Sequence, residues 1–158
     1  MSSQVHELLA NVRRPVMERM GLLPGLLSHF NRYEALTEVR ITFKHAGLGT
    51  NIPVEICDAA FHIVQEALTN VARHAGIKRA TVRLRATKKK LKVLVQDKGI
   101  GFDPIAMAEA TTTGLSSMRE RAAAVGAELK INSSPGSGTR IYVELPLTLA
   151  QMRNSERI

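Results

Sequence analysis

The sequence predicts an α+β fold: a two-layer α/β sandwich with one mixed, mostly antiparallel sheet and helices on one face. Two observations carry this. Five short runs alternate apolar with polar residues, the half-buried strand pattern, and two longer runs hold apolar residues at helical spacing. Their order is strand–helix–strand–strand–loop–helix–strand–strand, in which hairpins dominate and no alternating βαβ series develops.

Residues 4–14 suit a short helix stopped by Pro15. Gly21, Pro24 and Gly25 predict that residues 16–27 are broken, although Leu22, Leu23, Leu26, Leu27 and Phe30 need an apolar partner surface. Val39, Ile41 and Phe43 alternate with Arg40, Thr42 and Lys44 to give the first strand. A glycine-rich loop at 47–51 follows, where Thr50 or Asn51 suits a cap for the central helix, with Pro53 in its first turn and Gly76 at its end. Val82, Leu84 and Ala86, then Leu91, Val93 and Val95, form a hairpin whose lysine-rich turn at 88–90 reads as solvated. Residues 104–113 are small and polar without a period. Leu115, Met118, Ala122 and Val125 mark a second helix ended by Gly126. Leu129 and Ile131 start a strand, a turn follows at 133–138, and Ile141, Val143 and Leu145 form the last strand before Pro146. The tail at 148–158 is polar and expected to fray.

The chain has 158 residues, enough for one domain with a sizeable, mostly aliphatic core, because it holds only two Tyr, four Phe and no Trp. No stretch has the length or apolarity to span a membrane. A single cysteine, Cys57, rules out an internal disulfide and fits a reducing compartment, with a buried small hydrophobe as its role. The five histidines have no metal-ligand spacing. A net charge of +8 suits nucleic acid, an anionic surface or a phosphorylated small molecule. The basic residues are scattered and no aromatic residues are interleaved for base stacking, so nucleic acid is not expected as a partner.

The most informative stretch is the central helix. Ile56, Ala60, Ile63, Val64, Ala67 and Val71 make one apolar stripe. Glu66, Asn70 and Arg73 stand at i, i+4 and i+7, sharing about 60° of arc beside it on an otherwise half-buried helix. A carboxylate, a carboxamide and a guanidinium on one edge suit a metal-bound phosphate: oxygen ligands for a hard cation, a donor for phosphates and a base. Ordinary i,i+4 pairs on a solvated face would explain the same residues. Downstream, Asp97-x-Gly99-x-Gly101 ends a strand where backbone can approach a ligand closely, though a tight turn would also use it. Gly114-Leu115 opens a helix whose free amides suit a phosphate. Gly138-Thr139 alone reads as a turn.

In this order, Glu66-x-x-x-Asn70, Asp97-x-Gly99-x-Gly101, Gly114-Leu115 and Gly138-Thr139 resemble the N, G1, G2 and final boxes of the GHKL ATPases. The phrases at 65–75 and 114–122 are similar to the catalytic domain of sensor histidine kinases of the nitrate-sensor and lipid-fluidity-sensor group. The resemblance covers about residues 39–146. It implies the GHKL ATPase fold, ATP and Mg²⁺ as cofactors, and transfer of the γ-phosphoryl group to histidine in a two-component system. By it, Asn70 holds Mg²⁺, with Glu66 as a second candidate ligand, and Glu66 acts as or orients a base. Arg73 and His74 reach phosphate oxygens. Asp97 accepts the adenine amino group, Gly99 and Gly101 let the adenine slot in, Gly114 and Leu115 meet phosphate, and Thr139 lies near the adenine. Residues 103–113 become a lid over the nucleotide.

Thr112 stands where the G2 box usually carries its first glycine, which predicts a lid that closes less freely. The resemblance divides the chain into the end of a dimerisation region and its linker at 1–27, the catalytic domain at 28–147 and a polar tail at 148–158. His6 reads as a helix-surface residue, and the expected acceptor histidine lies on a dimerisation domain beyond this chain. The implied partners are ATP, that histidine-bearing domain and a response regulator, with no membrane contact from this part. The implied location is cytoplasmic, whether or not the parent protein is anchored in a membrane. Two rival readings remain: an anti-sigma serine kinase or stand-alone ATPase of the same superfamily, and a nucleotide-binding or protein-interaction module without turnover.

Overall fold

A computed structural model describes residues 21–49, 52–75, 77–101 and 113–147. The expectations for residues 4–14, Thr50, Asn51, Gly76, the proposed lid with Thr112 and the tail fall outside them.

Helix α1 spans Leu22–Thr37. The sequence reading expected a break here, and the structure corrects it. Pro24 is the third helical residue, where no intrahelical N–H bond is required, so it costs the helix nothing. Glu38 closes the helix in the left-handed conformation (φ 62°), with its N–H bonded to Glu34 O. Glu34 Oε2 then accepts from Ile41 N at 2.8 Å, fastening the helix end to strand β1, Arg40–Ala46. Helix α2 spans Val54–Asn70 and continues into a π-helical turn at Val71–Ala75. Pro53 is its N-cap rather than part of its first turn, and its carbonyl accepts from Ile56 N and Cys57 N. Strands β2 (Arg79–Ala86) and β3 (Lys90–Asp97), helix α3 (Thr113–Ala124), β4 (Lys130–Ser133) and β5 (Thr139–Pro146) follow.

The five strands lie in the order β1-β2-β3-β5-β4. Only β1–β2 is parallel, because α2 connects them as a crossover, and the other pairs are antiparallel. The mixed, mostly antiparallel sheet expected from the sequence is therefore present. Alternation sends Val82, Leu84, Leu91, Val93, Val95, Ile141, Val143 and Leu145 to one face, where they join the core with α2. Helix α2 is not half-buried, as its single apolar stripe suggested. Side chains from Ile56 to Thr69 are buried at every position but Asp58, because α1 and α3 flank the helix while the sheet takes its stripe. His62 Nε2 lies 2.9 Å from Ser117 Oγ, and Asp58 Oδ2 lies 3.7 Å from Arg121, both contacts tying α2 to α3. Cys57 is buried as expected, and burial pushes its thiol up to about 11.

His29 is fully buried among Phe30, Tyr33 and Phe61, and neither ring nitrogen has a partner among the described residues. Burial lowers its pKa from 6.5 to about 4. The folded state thus resists a proton that the unfolded chain binds, and stability is lost as pH falls from 6.5 towards 4. The full span corresponds to about 3 kcal/mol. His29→Phe should remove that part of the pH dependence. Urea unfolding of both proteins at neutral and acid pH checks it; parallel profiles would contradict the assignment.

Candidate nucleotide site

Two groups of the expected site residues are brought together at the end of the sheet and the end of α2. The first forms where α2 meets the start of α3. Glu66 is buried and Asn70 half-buried on the last turns of α2. Gly114, in the first turn of α3, sits directly against them. A Cβ on Gly114 would lie 3.3 Å from Asn70 Oδ1 and 3.5 Å from Glu66 Oε2. A side chain there would press on the Asn70 oxygen and touch that of Glu66, so glycine leaves room where the start of α3 faces a carboxylate and a carboxamide. Leu115 turns its side chain into the core, leaving its backbone as the part available to a ligand.

Arg73 is exposed in the π-turn, and the backbone of His74 lies in the same turn. The side chain of His74 is outside what is described. The 100° step that put Arg73 within about 60° of Glu66 does not hold through this turn, because π-helical winding advances each residue by less than an α-helix does. No sequence pattern announces that bulge.

The second group surrounds the C-terminal end of β3. Asp97 is buried, and its Oδ1 accepts from Gly99 N at 2.8 Å. Burial raises the carboxyl pKa, while the backbone N–H groups of Gly99 and Thr139 pull it back down. Thr139 is the cross-strand partner of Asp97, and its hydroxyl is 2.9 Å from Ser133 Oγ. Asp97, Ser133, Gly138 and Thr139 line a cavity of about 410 Å³.

Two glycines are explained by protein contacts as well as by any ligand. Gly101 (φ 67°) and Gly138 (φ 76°) are left-handed, and each sits against backbone. A Cβ on Gly101 would lie 2.1 Å from Ser134 O, and one on Gly138 would lie 2.3 Å from Asp97 O. The β4–β5 turn is thereby pressed against the Asp97–Gly101 segment. Gly138→Ala should cost about 1–3 kcal/mol from the backbone conformation alone and more from the clash. Urea unfolding measures it, and an unchanged midpoint would contradict this reading.

Sequence reasoning missed Tyr33. Its hydroxyl donates to Leu68 O at 2.7 Å, and the charge of Asp97 helps to hold its pKa above the usual phenol range, after burial as the main cause. It braces the turn of α2 before Asn70. Nothing local in the sequence marks it, since the contact spans 35 residues. Ser133, with its bonds to Gly138 O and Thr139, was also read as an ordinary turn residue.

Burial, close backbone and polar oxygens thus coincide at the four segments singled out in the sequence. Residues 55–149 match the family model of the histidine kinase-, DNA gyrase B-, and HSP90-like ATPases. A signal transduction histidine-protein kinase/phosphatase, DegS, of Brevibacillus brevis is 33% identical over 146 residues, which is 92% of this chain and 38% of that protein. The sensor histidine kinase LiaS of Bacillus subtilis (strain 168) is 32% identical over 155 residues, 98% of this chain and 42% of that protein. The chain thus spans about two fifths of the length of these relatives. The histidine kinase domain of the blue-light activated histidine kinase EL346 of Erythrobacter litoralis has the same fold. It superposes with a TM-score of 0.72 at 23% identity, over 94% of this chain and 76% of that one. The chain belongs to the histidine kinase-, DNA gyrase B- and HSP90-like ATPase family.

Proposed function

We propose that the chain is the ATP-binding catalytic part of a two-component sensor histidine kinase. Residues 28–147 form the catalytic domain, residues 1–27 the end of a dimerisation region with its linker, and residues 148–158 a polar tail. The observation that carries the reading is the convergence of Glu66, Asn70 and the glycine start of α3, together with the buried Asp97 at the end of β3.

Asp97 accepts a hydrogen bond from the adenine amino group, with Gly99, Gly101 and Thr139 around the ring. Its Oδ1 is already engaged by Gly99 N, which fixes the carboxylate plane. Asn70 and Glu66 present two oxygens near one point, the donor set that suits a Mg²⁺ ion bound chiefly by phosphates and water. When bound, that ion neutralises charge on the phosphate oxygens. Amides of Gly114 and Leu115 at the start of α3, together with Arg73 and His74, hold the phosphates in line. Glu66 orients the incoming acceptor or takes its proton. The catalysis is largely positioning and charge neutralisation. The acceptor is a histidine on a dimerisation domain, and the phosphoryl group passes on to a response regulator, in the cytoplasm.

The names of the curated relatives support this reading over its rivals. A buried glutamate beside Asn70 would also suit activation of water, or of serine in an anti-sigma kinase. Titration with ATP, with and without Mg²⁺, followed by phosphate release, separates them. The kinase domain should bind Mg²⁺-ATP and release little phosphate. Rapid release would favour the stand-alone ATPase, and absent binding would favour a protein-interaction module.

A further inference from the structure

The charge of the described residues is sorted by face. The side of the sheet away from the helices is open, and strand alternation fills it with cations. Strand β1 contributes Arg40 and Lys44, and β2 contributes Arg79, Arg83 and Arg85. Lys90 and Lys92 come from β3, with Lys130 and Arg140 beyond them on β4 and β5. All nine are exposed. Among the described residues Glu144 is the one carboxylate at an outward-pointing strand position, and Lys90 at 2.8 Å and Tyr142 at 2.6 Å already engage it. The described residues hold seventeen Lys and Arg and nine Asp and Glu, so away from this face eight of each remain and cancel. The entire described excess of positive charge therefore lies on the open side of the sheet.

Folding does not account for this. Register sets Arg40 beside Arg79, Lys44 beside Arg83 and Arg85 opposite Lys92. Like charges paired across strands are destabilising. Thr42, Lys44, Arg79, Thr81, Arg83 and Gln96 also line a cavity of about 500 Å³ that runs to Asp97 and Lys98. Four cations, Lys44, Arg79, Arg83 and Lys98, and two hydroxyls surround this concavity, outnumbering the single carboxylate of Asp97 at its end, a set that suits a phosphate group.

We propose that this open face adsorbs to a membrane surface rich in anionic phospholipid, with a lipid phosphate seated in that cavity. Protein partners are disfavoured because interface centres are depleted in charge and enriched in aromatic residues. Here Leu94 is buried and the exposed large hydrophobic residues, Leu27, Leu36, Val54 and Ile100, lie elsewhere. Single-stranded nucleic acid needs stacking platforms, and among the described residues Tyr142, its ring already beneath Arg140, is the one aromatic side chain on this face. Adsorption needs only a plane of Lys and Arg. The resemblance implies no membrane contact from this part, and no helix among the described residues is long and apolar enough to cross a bilayer. Surface binding requires no span.

Co-sedimentation of the 158-residue chain with phosphatidylcholine vesicles, with and without phosphatidylglycerol, tests the proposal. Binding should require the anionic lipid and weaken as salt rises. The double variant Arg83→Glu with Lys92→Glu should bind at least about 30-fold more weakly. Arg32→Glu with Arg119→Glu, the same charge change on the helical side, should retain binding. Neither variant should melt below the parent, the sheet variant gaining opposite-charge pairs with Lys44 and Arg85, and ATP affinity should match the parent's, which keeps this test separate from that of the nucleotide site. Absence of lipid-dependent binding, or equal loss in the two variants, would overturn the proposal. So would tighter binding to duplex DNA than to anionic vesicles, lost in the sheet variant; that result would assign the face to nucleic acid.

Discussion

Asn70→Ala lowers Mg²⁺-ATP affinity by at least the roughly 10–100-fold that loss of even an outer-shell partner costs a metal site. The side chain is half-buried at the last turn of α2, and its Oδ1 faces the start of α3 across the position that a Cβ on Gly114 would fill. It fills no core space, so circular dichroism and the unfolding midpoint should stay at parent values. Affinity measured without Mg²⁺ should change little, because the lost oxygen serves the cation. Unchanged Mg²⁺-ATP affinity would remove Asn70 from the site, while loss of ATP binding with and without Mg²⁺ would reassign it to direct phosphate contact.

Asp97→Ala weakens ATP and ADP together. A hydrogen bond to a charged group contributes roughly 1.5–3 kcal/mol, equivalent to about 10–150-fold in affinity. Alanine also frees Gly99 N, which Asp97 Oδ1 now engages at 2.8 Å. Asp97→Asn keeps an acceptor for that amide and removes only the charge, so it should cost less. The pH dependence has a definite sign. Burial raises the carboxyl pKa, and the protonated form loses its charge-assisted acceptor. Parent affinity should therefore fall relative to Asp97→Asn as pH drops towards the raised pKa. A constant ratio between the two proteins across pH, or equal binding of GTP and ATP by the parent, would contradict adenine recognition by Asp97.

Strands were legible in the sequence because alternation has one physical cause, a sheet with a covered and an open face. The runs at Val82, Leu91 and Ile141 all send their apolar residues inward as expected. Helix α1 was misread because Pro24 and Gly25 count as breakers only in a helix interior, and they fall in its first turn. The burial of α2 was underestimated because Gln65, Glu66 and Thr69 look solvated in sequence but lie under neighbouring helices. Glu66, Asn70, Asp97 and the two downstream glycine pairs were legible as segments in order. Their mutual geometry was not. Gly114 meets Glu66 and Asn70 through a tertiary contact, Gly138 meets Asp97 across the sheet, and Tyr33 reaches Leu68 from a helix that carries no motif. The π-turn carrying Arg73 breaks the periodicity on which any helical-wheel placement depends.

Transfer of the γ-phosphoryl group to histidine is the central claim, and one labelling experiment addresses it. The chain is incubated with γ-labelled ATP and Mg²⁺, with and without a separately produced dimeric fragment bearing the acceptor histidine. The expected result is label on the added fragment alone, stable in base and labile in acid, as a phosphoramidate is. The chain by itself should bind nucleotide and stay unlabelled, because an acceptor must approach the γ-phosphate in line. Label that survives acid, or stable labelling of the chain without the fragment, would contradict the account.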